Sequence, residues 1–123
     1  MIYIYKNTLE GAISANFSDS ICIWDTDNFQ ISEKVVDRLV LTSCLCTLCV
    51  GREADELHNL IDATVELFEF EEGLSIDVDT RGGSFANYTL KGAIWEAENN
   101  MFPDVKVKVK QVIVLSSAGG DIT

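Results

Sequence analysis

Cys44, Cys46 and Cys49 fall within six residues of one another, and His58 follows nine positions after the last of them. Three Cys and one His form a known ligand set for structural zinc. Cys46-Thr47-Leu48-Cys49 also has the Cys-x-x-Cys spacing of redox pairs, whose chemistry depends on an accessible thiolate. The surroundings argue for a different role. The Cys residues interleave with Leu45, Leu48 and Val50 inside Leu39–Val50, a twelve-residue stretch without charge, Gly or Pro. If that stretch is a helix, Cys44 points about 160° away from Cys46 at 100° per residue. The expectation is therefore core packing, where Cys serves as a small hydrophobe. Cys44, Cys46, Cys49 and His58 remain only weak metal candidates, and no cofactor is expected.

Two pairs of carboxylates come next. Asp77 and Asp79 would share one face of a strand, and with Asp25 or Asp27 they could hold a divalent cation. The Asp25-Thr26-Asp27-Asn28 stretch lacks the Gly and distal Glu of a calcium loop. A solvated strand face and an Asp-rich turn account for both pairs. The single His has no evident catalytic partner, and the chain carries no Gly-rich phosphate loop or nucleophile elbow. Catalysis is not the expectation.

The charge layout is more informative. Net charge is −11, and residues 53–79 hold ten acids and neither Lys nor Arg. The remaining residues are close to neutral, with ten acids against nine bases. Glu53, Asp55, Glu56, Asp62, Glu66, Glu69, Asp77 and Asp79 are the partner-binding candidates within that window. Carboxylates at helical spacing can imitate the regularly spaced phosphates of a nucleic acid and occupy a basic groove. The competing explanation is an ordinary solvated acidic helix. A stripe of Lys106, Lys108 and Lys110 lies near the other end of the chain. Lys residues on a strand guard a sheet edge, or they supply the basic half of a head-to-tail self-assembly.

These side chains need elements to position them. The length of 123 residues fits a single domain over 1–123, with a mobile tail from 116 to 123. Ile2–Tyr5, Ala12–Phe17 and Ile21–Trp24 read as three strands of an antiparallel meander. Ser32 reads as the N-cap of a buried helix over 32–50, which Gly51 ends. A second helix follows, with Leu57, Leu60, Ile61, Thr64, Val65 and Phe68 on its inner face and Gly73 as a left-handed cap. Leu74–Thr80 reads as a strand. Residues 84–98 read as a long strand with a bulge at Gly92, with a helix over 87–101 as the alternative. Val105–Leu115 reads as a strand. Segregated strands, helices and strands imply an α+β fold: an antiparallel sheet of about five to six strands with two consecutive helices packed on one face.

The N-terminus lacks the basic and apolar regions of a signal peptide, and no apolar run reaches the length of a membrane span. A cytoplasmic protein is expected, in the host cytoplasm if the source is viral. The functional expectation is a small acidic, non-catalytic interaction protein. It would inhibit or sequester a partner with a basic groove, without binding nucleic acid or membrane itself. Small phage or mobile-element inhibitors share this size and charge by analogy. The alternative is a homo-oligomeric ring or tube subunit, and a small-ligand-binding or catalytic domain comes third.

Overall fold

The computed structural model describes residues 2–73, 79–81, 89–99 and 109–117. Helix and strand alternate along the chain: β1 (Ile2–Lys6), α1 (Leu9–Ile13), β2 (Ser20–Asp25), α2 (Glu33–Leu41), β3 (Cys46–Val50), α3 (Ala54–Glu72), β4 (Asp79–Arg81), α4 (Leu90–Asn99) and β5 (Gln111–Leu115). The strands form one sheet in the order β1-β5-β2-β3-β4, and every pairing is parallel. The expectation of an antiparallel sheet with two helices on one face is thus overturned. Parallel neighbours cannot be joined by tight turns and need crossover connections. Here α2 carries the chain from β2 to β3 and α3 from β3 to β4. The connection containing α4 then returns the chain to place β5 between β1 and β2.

The three central strands, β5, β2 and β3, are buried on both faces. Cys22, Trp24, Cys49, Ile113 and Leu115 project into a core shared with α1, α2 and α3. Ile21, Ile23, Cys46, Leu48, Val50, Val112 and Val114 project into a second core shared with α4. A strand enclosed on both sides needs apolar residues at every position, not at alternate ones. That requirement explains the apolar block Leu39–Val50, which was expected to be one buried helix. The helix stops at Leu41, where the Thr42 hydroxyl donates to Arg38 O at 2.8 Å. Ser43 then takes a left-handed φ of 60°, and β3 begins at Cys46.

Two other elements depart from expectation. Thr8 Oγ1 accepts from Gly11 N at 3.1 Å and caps the short α1, where Ala12–Phe17 was expected to be a strand. Leu90–Asn99 is helical and lays Leu90, Ala93 and Ala97 against the second core, so the strand expected over 84–98 gives way to its alternative there. Those three small or aliphatic residues lie three and then four positions apart, the spacing of one face of a helix. The strand expected over Val105–Leu115 is present as β5, and residues 105–108 lie outside the described residues, as do 74–78 and the tail from 118. The Ser32 cap, the second helix and the left-handed Gly73, at φ 66°, are as expected.

Gly51 ends β3 rather than a helix. Its φ is +95°, and a Cβ there would meet Thr26 Oγ1 at 2.5 Å and Asp27 N at 2.9 Å. Both the left-handed backbone and the contact with a neighbouring main chain resist a side chain. Gly51→Ala is expected to cost about 2–3 kcal/mol of stability, measured by urea unfolding. A loss under about 0.5 kcal/mol, the ordinary range for a surface change, would show that this junction is not tightly held.

Candidate functional site

In open parallel sheets, ligands bind outside the carboxyl ends of the strands. Asp25 ends β2 and is buried. Its carboxylate accepts from Asp27 N at 3.2 Å, from Asn28 Nδ2 at 2.8 Å and from the buried Ser116 Oγ at 2.9 Å. Asp27 accepts from Arg52 N at 3.0 Å and Arg52 Nε at 3.4 Å. Thr26 Oγ1 donates to Val50 O at 2.7 Å and accepts from Glu53 N at 3.1 Å. Together these bonds lace the end of β2 to the ends of β3 and β5. A pocket of about 340 Å³ opens beside them, lined by Asn7, Leu9, Asn28, Phe29, Gln30, Ile31 and Ser32. None of these lining side chains carries a charge. The nearby carboxylates are occupied with main-chain and side-chain donors, which is a structural role.

The proposed cation set does not come together. Asp25 pairs with Val50 at the carboxyl end of β3, whereas Asp79 pairs with Cys46 at its amino end. Asp77 lies outside the described residues.

The thiols are divided by the sheet. Cys44 and Cys49 belong to the core beneath α2 and α3, and Cys46 to the core beneath α4. His58, on α3, donates from Nε2 to Asp62 Oδ2 one turn later, at 3.0 Å. Among the described residues, no three His, Cys, Asp or Glu side chains are grouped to hold a metal ion. Cys22, Cys44, Cys46 and Cys49 are all buried, and none is joined in a disulfide. Burial pushes the Cys44 thiol up to about 11 and the Cys22 and Cys49 thiols well above their ordinary range, the last assisted by the Asp62 carboxylate. A thiolate nucleophile is therefore disfavoured at neutral pH. A thiol-specific chromogenic reagent at about pH 8 is expected to label none of the four until denaturant is added; rapid labelling of the native protein would contradict this. The same shift sets a stability trend. The folded state holds the Cys44 proton more tightly than the unfolded chain does, so this contribution is intact below about pH 8.5 and is lost as pH rises toward 11.

The acidic window gives a more distinctive surface. Nineteen residues, Ala54–Glu72, form α3. Its inner side buries Ala54, Leu57, Ile61 and Thr64. Glu53, Asp55, Glu56, Asp62, Glu66, Glu69, Glu71 and Glu72 are all exposed. At about 100° per residue, Asp55, Asp62, Glu66 and Glu69 fall within one stripe some 60° wide. The helix and its cap carry eight carboxylates and no Lys or Arg.

No family model, curated protein or solved structure matches this chain. The site is therefore read from its own geometry.

Sequence reasoning identified the acids and missed what lies beside them. Leu60, Ala63, Leu67 and Phe70 form a second apolar stripe on α3, spaced three, four and three residues apart. Leu60 is half-buried against the core, while Leu67 is 49% and Phe70 90% exposed. Where α3 faces α2, this stripe borders a groove of about 330 Å³ lined by Glu33, Asp37, Leu60, Ala63, Thr64, Leu67 and Phe68. The heptad-like spacing was legible beforehand. It was masked because Leu60 was counted with the inner face. Of the Lys stripe, Lys106 and Lys108 lie outside the described residues, and Lys110 sits 3.4 Å from Asp19.

Proposed function

We propose that this protein is a small acidic interaction protein without catalytic activity of its own, which inhibits or sequesters a partner by occupying its basic groove. The observation that carries the reading is the outer surface of α3, where eight exposed carboxylates are accompanied by no Lys or Arg. Concentrated charge of one sign steers association with a surface of the opposite sign and favours it at low salt. A rigid helix holds its carboxylates at fixed spacing, so it can compete with a phosphate backbone for the same cations. Two features weigh against chemistry as the main role: the carboxyl-end pocket is lined by uncharged side chains, and the thiols are buried with raised pKa values.

Head-to-tail assembly draws no comparable support, since Lys110 already has an acidic neighbour in Asp19. Size-exclusion chromatography with light scattering, at low and high salt, separates the two readings. The inhibitor reading predicts a monomer or dimer at both. It further predicts that a duplex DNA oligonucleotide displaces the protein's partner from it. A large salt-sensitive ring, or a partner indifferent to DNA, would overturn it.

A further inference from the structure

We infer that the groove between α2 and α3 receives a basic amphipathic helix from the partner protein, an inference that rests on the interaction reading above and names the partner's binding element. Leu60, Ala63, Leu67 and Phe70 repeat at the spacing of the a and d positions in a helix–helix seam. The inner stripe of α3 is already consumed by the core, and of this second stripe only Leu60 packs partly against that core, while Ala63, Leu67 and Phe70 are exposed. Its outermost members, Leu67 and Phe70, are large apolar side chains, the first half in water and the second almost wholly so. Beside them the groove offers about 330 Å³ with an apolar floor, a volume at the lower end of small binding sites.

Charge selects the occupant. Glu33 and Asp37 line the α2 wall, and Glu66 and Glu71 flank the apolar stripe along α3. Arg38 of α2 is directed away, its Nε donating to Ala15 O at 2.7 Å. A second copy of this chain would bring one acidic α3 against another, and like charges in a closing interface are penalised. A helix with Leu-type residues at matching positions and Lys or Arg beside them satisfies both the apolar stripe and its acidic rim. This is the helix-in-groove mode of recognition, with anchors at i, i+3 or i+4 and i+7.

The test uses the full chain and a fluorescein-labelled peptide of about three heptads, with Leu at a and d, Lys or Arg at e and g, and Ala elsewhere. A control peptide has the same composition with its Leu residues dispersed around the helix. In fluorescence anisotropy at roughly 0.15 M salt, the amphipathic peptide is expected to bind at least about tenfold more tightly than the control. The double variant Leu67→Ser, Phe70→Ser should lose that preference while keeping its helical circular dichroism, because both side chains are exposed. Equal binding of the two peptides, or a double variant that retains the preference, would overturn the groove. Equal binding that weakens with salt would leave the acidic surface standing, so the two failures are distinguishable.

Discussion

Replacing Trp24 with Ala is expected to lower the free energy of unfolding by about 3–5 kcal/mol. Trp24 is fully buried in the middle of the sheet, on β2, among side chains from α1, α2 and α3. Truncation removes its contacts and leaves a cavity that the surrounding sheet and helices can only partly close. Two further interactions go with it. The indole Nε1 donates to Phe29 O at 3.2 Å, and the Phe29 ring meets the indole edge-on at 5.8 Å between centroids. The carbonyl of Phe29 would then lose its buried donor, and the loop that follows β2 would lose one of its anchors. Domains are stable by only about 5–15 kcal/mol, so the variant should unfold at far lower urea concentration and lie near the limit of folding at 37 °C. A loss below about 1 kcal/mol would mean that Trp24 is not at the centre of a packed sheet.

β1, β2, the start of α2, α3 and β5 were visible in the sequence, whereas α1, β3, α4 and the way the elements connect were not. Ile2–Tyr5 and Ile21–Trp24 are both apolar and rich in β-formers, and both form strands. Strand direction leaves little trace in such short runs. The meander was inferred from turn residues between them, yet the Gly11 region holds α1, because Thr8 caps a helix there. The larger error concerned Leu39–Val50. An all-apolar run of this length suits a buried helix or a buried parallel strand equally well, and periodicity alone does not separate them. Recognising the break at Thr42-Ser43 would have divided it into the end of α2 and the central strand β3. That division places Cys46 and Cys49 on opposite faces of a sheet, which dissolves the Cys-x-x-Cys pair as a site. The acidic face of α3 was legible because helical spacing and charge are both local properties. The groove beside it was not, since it depends on where α2 lies.

Reversing Asp62, Glu66 and Glu69 to Lys is expected to weaken partner binding by more than about tenfold. All three residues are exposed on one side of α3, so the substitutions leave the core face of the helix untouched. Fold stability should change by no more than about 1 kcal/mol, since Glu66 and Glu69 are exposed charges and the Asp62–His58 pair is a partly exposed contact. The effect on association should be much larger. Each reversal replaces an attraction toward a basic groove with a repulsion, and all three act at the same contact surface. The loss should shrink at high salt, where exposed charges are screened beyond about 3 Å at 1 M.

The central claim is that the outer face of α3 is the working surface, and one comparison addresses it directly. Wild-type protein and the triple variant Asp62→Lys, Glu66→Lys, Glu69→Lys are immobilised at equal density, and retained proteins from a cell extract are quantified by mass spectrometry. The account predicts a small set of basic proteins that the wild type retains, that high salt or duplex DNA elutes, and that the variant retains more than about tenfold less. Equal retention of the same proteins by a folded variant would contradict it.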